Sequence, residues 1–111
     1  MSKKIVIIGG GPAGYEAALA GSKYGADITL IENHGVGGSA INLDVVPSKG
    51  FIAASNIKTD LRRADDMGLN HGLGEASLMI TALNNRVVAL ASEQARDVRV
   101  QLERAGVKII R

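Results

Sequence analysis

The chain contains no cysteine and no tryptophan. Without thiols it forms no disulfide, offers no thiolate nucleophile and builds no cysteine-based zinc site. One Phe and two Tyr are too few for a platform on which nucleic-acid bases stack. Charge of one sign is also scarce. The formal net charge is +2, and the Lys and Arg residues are scattered, so no basic stripe exists of the kind a phosphate backbone requires. Long apolar runs are missing too. Ile5-Val6-Ile7-Ile8 breaks at three glycines, too soon for a membrane span or a signal-peptide core. The expectations are no nucleic-acid partner, no membrane insertion and a cytoplasmic location.

What remains is a folding composition. At 46% hydrophobic over 111 residues, the chain suits one small globular domain rather than a disordered segment. Residues 4–8 are a short β-branched apolar run, the pattern of a strand buried on both faces of a parallel sheet. Gly9, Gly10 and Gly11 end it. Pro12 suits the first turn of a helix, the Ala-rich residues 13–24 continue that helix, and Gly25 suits its C-terminal cap. Residues 27–31 read as a second strand. Strand, glycine turn, helix and strand make a βαβ unit, whose crossover is nearly always right-handed. Residues 33–39 read as a Gly-rich loop and 41–66 as helix, interrupted or kinked near Pro47. A second loop runs from Gly68 to Gly74. Residues 77–105 carry apolar positions at helical spacing (Leu78, Leu83, Val87, Leu90, Ala91, Val98, Leu102), with Gly106 as a cap. Residues 107–110 read as a third strand. The expected fold is α/β, a Rossmann-like parallel sheet. Three strands with long helices are only part of a doubly wound fold, so the chain is expected to be the N-terminal piece of a longer protein.

Gly9 to Gly14 fits G-x-G-x-x-G with a strand before it and a helix after it, the context in which that pattern has meaning. Gly9 permits the tight turn, Gly11 lets backbone approach a pyrophosphate, and Gly14 lets helix and strand pack closely. The helix N-terminus offers free N–H groups and partial positive charge to phosphates. Glu32 ends the second strand, 18 residues beyond Gly14, where a carboxylate accepts hydrogen bonds from adenosine ribose hydroxyls. The alternative for Glu32 is a solvated strand-end acid. His34 and His71 are the only histidines, and both read as solvated loop residues, so no metal site is expected. Asp65-Asp66 reads as a solvated helix end. The mixed charges of the last helix, among them Glu93, Arg96, Arg99 and Glu103, read as a solvated face.

Three further stretches carry a more specific signal: Gly37-Gly38-Ser39-Ala40-Ile41-Asn42, Pro47-Ser48-Lys49, and the Pro12-Ala13 pair inside the glycine turn. Together with Glu32 they resemble the N-terminal FAD-binding region of the flavoprotein disulfide reductases, the family of dihydrolipoamide dehydrogenase and glutathione reductase. The resemblance covers essentially all of this chain and only the first part of a family member. It implies a partial FAD-binding domain of the three-layer ββα/β type spanning residues 1–111. The NAD(P) domain, the dimerisation domain and the rest of the FAD domain would lie outside those residues. The implied FAD contacts are Gly9, Gly11, Pro12, Ala13, Gly14, Glu32, Asn33, Gly38, Ser39, Ala40 and Lys49. Among these, Lys49 would lie near the isoalloxazine as a cation.

The family's second motif is G-G-T-C-L-N-x-G-C-I-P-S-K. Here Ser39 stands for Thr, Ile41 for Leu, Asp44 for Gly and Val46 for Ile, while Ala40 and Val45 replace both cysteines. A dithiol relay from flavin to a disulfide substrate needs a thiolate, and neither side chain supplies one. The chain is similar to a cysteine-poor branch, the actinobacterial NAD(P)H:quinone reductases labelled as lipoamide dehydrogenase homologues. That resemblance implies an enzyme in full-length form, with FAD as cofactor and NAD(P)H as co-substrate. It passes electrons from flavin directly to a quinone or similar small acceptor, and works as a homodimer. No residue of this segment is expected to be catalytic, and the segment alone is expected to be inactive. Two alternatives stay open: a dihydrolipoamide dehydrogenase-like protein without activity, and a non-catalytic dinucleotide-binding module.

Overall fold

The computed structural model describes residues 2–69, 72 and 77–111. Seven elements follow one another: β1 (Lys4–Ile8), α1 (Pro12–Lys23), β2 (Asp27–Ile31), α2 (Gly38–Asn42), α3 (Val45–Asp66), α4 (Ile80–Arg104) and β3 (Lys108–Ile110). The three strands form one parallel sheet in the order β1-β2-β3. Lys4 is in register with Asp27, Ile8 with Ile31, and Ile31 in turn with Ile110. The C-terminal ends of the three strands therefore lie level, at the edge where ligands bind in sheets of this type.

The helices form where the sequence reading places them, with two corrections. The expected 33–39 loop and 41–66 helix become a loop to Gly37, the short α2, and the long α3. The interruption falls at Leu43-Asp44, before Pro47 rather than at it. Asp44 leaves helical geometry, and its carbonyl accepts the N–H of Ser48 at 2.9 Å. Pro47 therefore sits in the first turn of α3, where a missing N–H removes no helical hydrogen bond. The second correction is smaller: α4 begins at Ile80, because Met79 is extended. The Gly68–Gly74 loop falls largely on residues 70, 71 and 73–76, among them His71 and Gly74, which lie outside the described residues.

All three long helices end alike. In α1 the N–H of Ala26 reaches the carbonyl of Gly21, and that of Gly25 reaches Ser22. The same double closure joins Leu69 to Ala64 and Gly68 to Asp65 after α3, and Val107 to Leu102 and Gly106 to Glu103 after α4. This is the Schellman motif, which needs a left-handed residue at its turn. Gly25, Gly68 and Gly106 supply it, with φ between 77° and 80°. The sequence reading anticipates Gly25 and Gly106 as caps and takes Gly68 for the start of a loop.

The core lies between one face of the sheet and the helices. Ala18 of α1, Ile28 and Leu30 of β2, and Leu102 of α4 are fully buried together with Val36 and Val107. Ile28 and Leu30 alternate onto one face. A hydroxyl tie from Ser22 to the carbonyl of Ala105 fastens α1 to the end of α4. Further along, α4 leaves the sheet and pairs with α3, where Val87 and Ala91 are buried.

The expectation that β1 is buried on both faces fails here. Val6 is 62% exposed and Ile8 84%. Among the described residues, both helices that pack on the sheet take the Ile28/Leu30 side, and β1 pairs with β2 alone. Of the expected layers, the described residues supply the parallel sheet and one helical layer. An apolar run of this kind signals two-faced burial only where both faces are covered.

Candidate functional site

At the C-terminal edge of the sheet two glycine turns interlock. The first joins β1 to α1. Gly9 turns with φ 99° and donates its N–H to the carbonyl of Ile31 at 2.8 Å. A Cβ on Gly14 would stand 1.8 Å from the carbonyl oxygen of Gly9, so the helix crosses the turn at a distance no side chain allows. The second turn joins the loop after β2 to α2. Gly37 donates to the carbonyl of Gly10 at 2.7 Å, and a Cβ on Gly38 would stand 2.8 Å from the Cα of Gly11. The N-termini of α1 and α2 are thus in backbone contact. Neither has an acidic residue in its first turn or a side-chain cap. Pro12 has no N–H and the N–H of Gly38 goes to the carbonyl of Gly35 at 3.2 Å, so the N–H groups left for a ligand are those that follow Pro12 in the first turn of α1.

Glu32 holds the two turns in register. Its Oε2 accepts the N–H of Gly10 at 2.7 Å, while Oε1 accepts those of His34 at 2.6 Å and Gly35 at 3.1 Å. These bonds, led by that from His34 and then Gly10, hold its carboxyl below the usual carboxylate range, and partial burial opposes them. Glu32 is therefore a fixed anion rather than a freely solvated strand-end acid. A carboxylate has about four lone-pair directions, so three bonds leave about one for a ligand.

Asn42, part of the second motif but not among the residues assigned a cofactor role in the sequence reading, completes the brace. Its Nδ2 donates to the carbonyls of Gly38 at 2.9 Å and Val36 at 3.2 Å. The amide closes the loop from beneath, and Val36 and Ile41 are buried beside it.

Two cavities share Glu32, His34 and Gly35 in their walls. One, of about 490 Å³, is lined by Glu32, His34, Gly35, Gly38, Ser39, Asn42 and Leu43. The other, of about 420 Å³, is lined by Glu32, Asn33, His34, Gly35 and Val36 from the loop, Ile109 and Arg111 at the end of β3, and Arg99 of α4. Arg111 donates from Nε to the carbonyl of Asn33 at 3.2 Å. The sequence reading places Arg99 on a solvated face and assigns Arg111 nothing. No local pattern links either to Glu32, because only the fold brings them there.

The structure thus gathers Gly9, Gly11, Gly14, Glu32, Asn33, Gly38 and Ser39 at one edge. Pro12 and Ala13 form the exposed first turn of α1. Ala40 is half-buried within α2 and lines neither cavity. Lys49 is exposed on the second turn of α3 and also lines neither. Val45, the other cysteine-replacing position, opens α3 and is 43% exposed. Among the described residues no group of three His, Asp or Glu side chains could hold a metal ion, and no helix is long and apolar enough to cross a membrane.

The model of the pyridine nucleotide-disulphide oxidoreductase family matches residues 3–111. The chain belongs to that family. Among curated family members, an NAD(P)H dehydrogenase (quinone) of Mycobacterium tuberculosis is 42% identical over 113 aligned positions, which cover 99% of this chain and 23% of that protein. Dihydrolipoyl dehydrogenase 2 of Haloarcula marismortui is 32% identical over 107 positions, 96% of this chain and 22% of that one. Among solved structures, LpdA of M. tuberculosis superposes with a TM-score of 0.82 at 38% identity, covering 99% of this chain and 23% of LpdA. The chain therefore spans less than a quarter of the length of these relatives. A flavoprotein disulfide reductase of Escherichia coli, RclA, matches with a TM-score of 0.73 at 21% identity, which speaks to the fold alone. These relatives are oxidoreductases by name, and the Rossmann-like sheet is the shared scaffold.

Proposed function

We propose that this chain forms the FAD-binding corner of an oxidoreductase that passes electrons from NAD(P)H to a quinone-type acceptor without a redox disulfide. The observation that carries the reading is at Gly11. Packing forbids a side chain at Gly14 and Gly38, yet a Cβ on Gly11 would meet nothing nearer than 4.0 Å. The protein itself does not need glycine there. A ligand that approaches the backbone does, and the adjoining N–H groups of α1 favour a pyrophosphate. The groups beside it also fit FAD: a fixed carboxylate that accepts from a ribose hydroxyl, and a cavity lined by Gly38 and Ser39.

In this reading Gly9, Gly11, Pro12, Ala13 and Gly14 cradle the pyrophosphate. Glu32 accepts a hydrogen bond from the adenosine ribose, Asn33 shapes the adjoining loop, and Gly38, Ser39 and Ala40 border the chain leading to the flavin. Lys49 stands as a cation toward the flavin ring. FAD, when bound, supplies the two-electron redox chemistry. The residues of this segment bind and orient it and move no proton. Ala40 and Val45 remove the thiol relay and support a diffusible acceptor over a disulfide. The same reading carries a homodimer and a cytoplasmic location for the whole protein. The decisive experiment is on the full gene product. Co-purified FAD with NAD(P)H oxidation that depends on added quinone, and not on lipoamide, is expected. Absence of flavin, or turnover with lipoamide, would overturn the proposal.

A further inference from the structure

The second cavity has a wall that the glycine turns do not explain. It shares Glu32, His34 and Gly35 with the first cavity, while Gly38 and Ser39 line only the first. A nucleotide whose phosphates rest on the glycine turns and whose ribose rests on Glu32 has this cavity next to its ribose to receive the base. The wall it meets there is partly apolar, with Ile109 and the buried Val36, and partly cationic. The cation is Arg99, reaching in from α4. Its side chain is exposed, and its Nε donates to Oε1 of Glu103, one turn on, at 2.9 Å. That bond is made in the plane of the guanidinium, at its Nε edge. Arg111 lines the same cavity and ties the end of β3 to the loop, its Nε donating to the carbonyl of Asn33.

We propose that Arg99 is a base-binding residue of this site, its guanidinium, held by Glu103, forming the wall against which the π-face of an adenine packs opposite Ile109. The inference rests on the FAD reading above and adds a residue to it. A planar cation over an aromatic face is a favourable arrangement for arginine, and lysine reproduces only the charge. Because contact through the face reads no hydrogen-bonding pattern, Arg99 adds affinity for the base while Glu32 and the glycine turns fix where it sits.

The test is calorimetric titration of ADP and of FAD into the flavin-free full gene product. Arg99→Ala is expected to weaken both roughly two- to thirtyfold, with the melting temperature of the ligand-free protein unchanged, since Arg99 is exposed and buries nothing. Arg99→Lys should fall between Ala and wild type. Glu103→Gln should weaken ADP in the same direction by a smaller factor. An unchanged ADP affinity in Arg99→Ala, or full recovery in Arg99→Lys, overturns the assignment while leaving the FAD reading intact. A wild-type protein that binds neither ADP nor FAD overturns both.

Discussion

Replacing Glu32 by Gln tests whether a fixed anion holds the two glycine turns together. The substitution keeps the shape. One amide oxygen can still accept from His34 and Gly35, as Oε1 does at 2.6 and 3.1 Å. The other end becomes an NH₂ group facing the N–H of Gly10, where Oε2 now accepts at 2.7 Å. A donor then opposes a donor, one bond is lost, and two others lose their charge assistance. Bonds to a charged acceptor contribute about 1.5–3 kcal/mol against about 1 for neutral ones. Since the site is half-buried and water resolvates part of it, the expected loss is about 2 kcal/mol near neutral pH. Folding lowers the Glu32 pKa from its ordinary 4.5. The stability it contributes is therefore complete above that value and disappears as pH falls through the lower folded value. Urea denaturation of the ligand-free full gene product across pH should show the wild-type advantage over Glu32→Gln at pH 7 and its closure below about pH 4.5. An advantage that does not change with pH, or none at pH 7, would refute the carboxylate brace.

Three further outcomes follow from the same geometry. Gly50→Ala should cost about 1–3 kcal/mol by overpacking, because its Cβ would meet Cγ2 of Val87 at 2.6 Å. Val87→Ala in the same chain should return part of that loss, seen as a coupling energy in a double-mutant cycle by denaturation. Asn42→Ala, which frees the carbonyls of Val36 and Gly38, should cost about 1–2 kcal/mol and weaken ADP binding, read by titration; unchanged values for both would remove Asn42 from the brace. Restoring thiols with Ala40→Cys and Val45→Cys should not by itself give lipoamide turnover, because a relay also needs a base that activates the thiol and these two substitutions do not bring one. Robust turnover would contradict this.

Much of the site could be read from local pattern. The β1–α1 turn declares itself because strand, glycines, proline and helix are consecutive, and each glycine answers to a neighbour a few residues away. Glu32 was legible as the acid after a second strand. Its three backbone bonds were not, since they depend on how the following loop folds back. Pro47 misled because the residue that kinks a helix interior is equally at home in a first turn; only the geometry of Asp44 decides. The exposure of β1 was hidden because apolar composition says what a strand tolerates on its faces, not which faces are covered. Arg99 and Arg111 left no trace at all, because chain neighbours do not bring α4 and the end of β3 to a loop that begins at Asn33.

The contact between Gly38 and Gly11 also sets how this chain can change. At Gly50 the obstacle to a larger residue is a side chain, and a smaller partner at position 87 makes room. At Gly38 the obstacle is the Cα of Gly11, which every amino acid possesses. No second substitution can clear it, so position 38 can vary only if the two turns separate, and with them the hydrogen bond from Gly37 to Gly10.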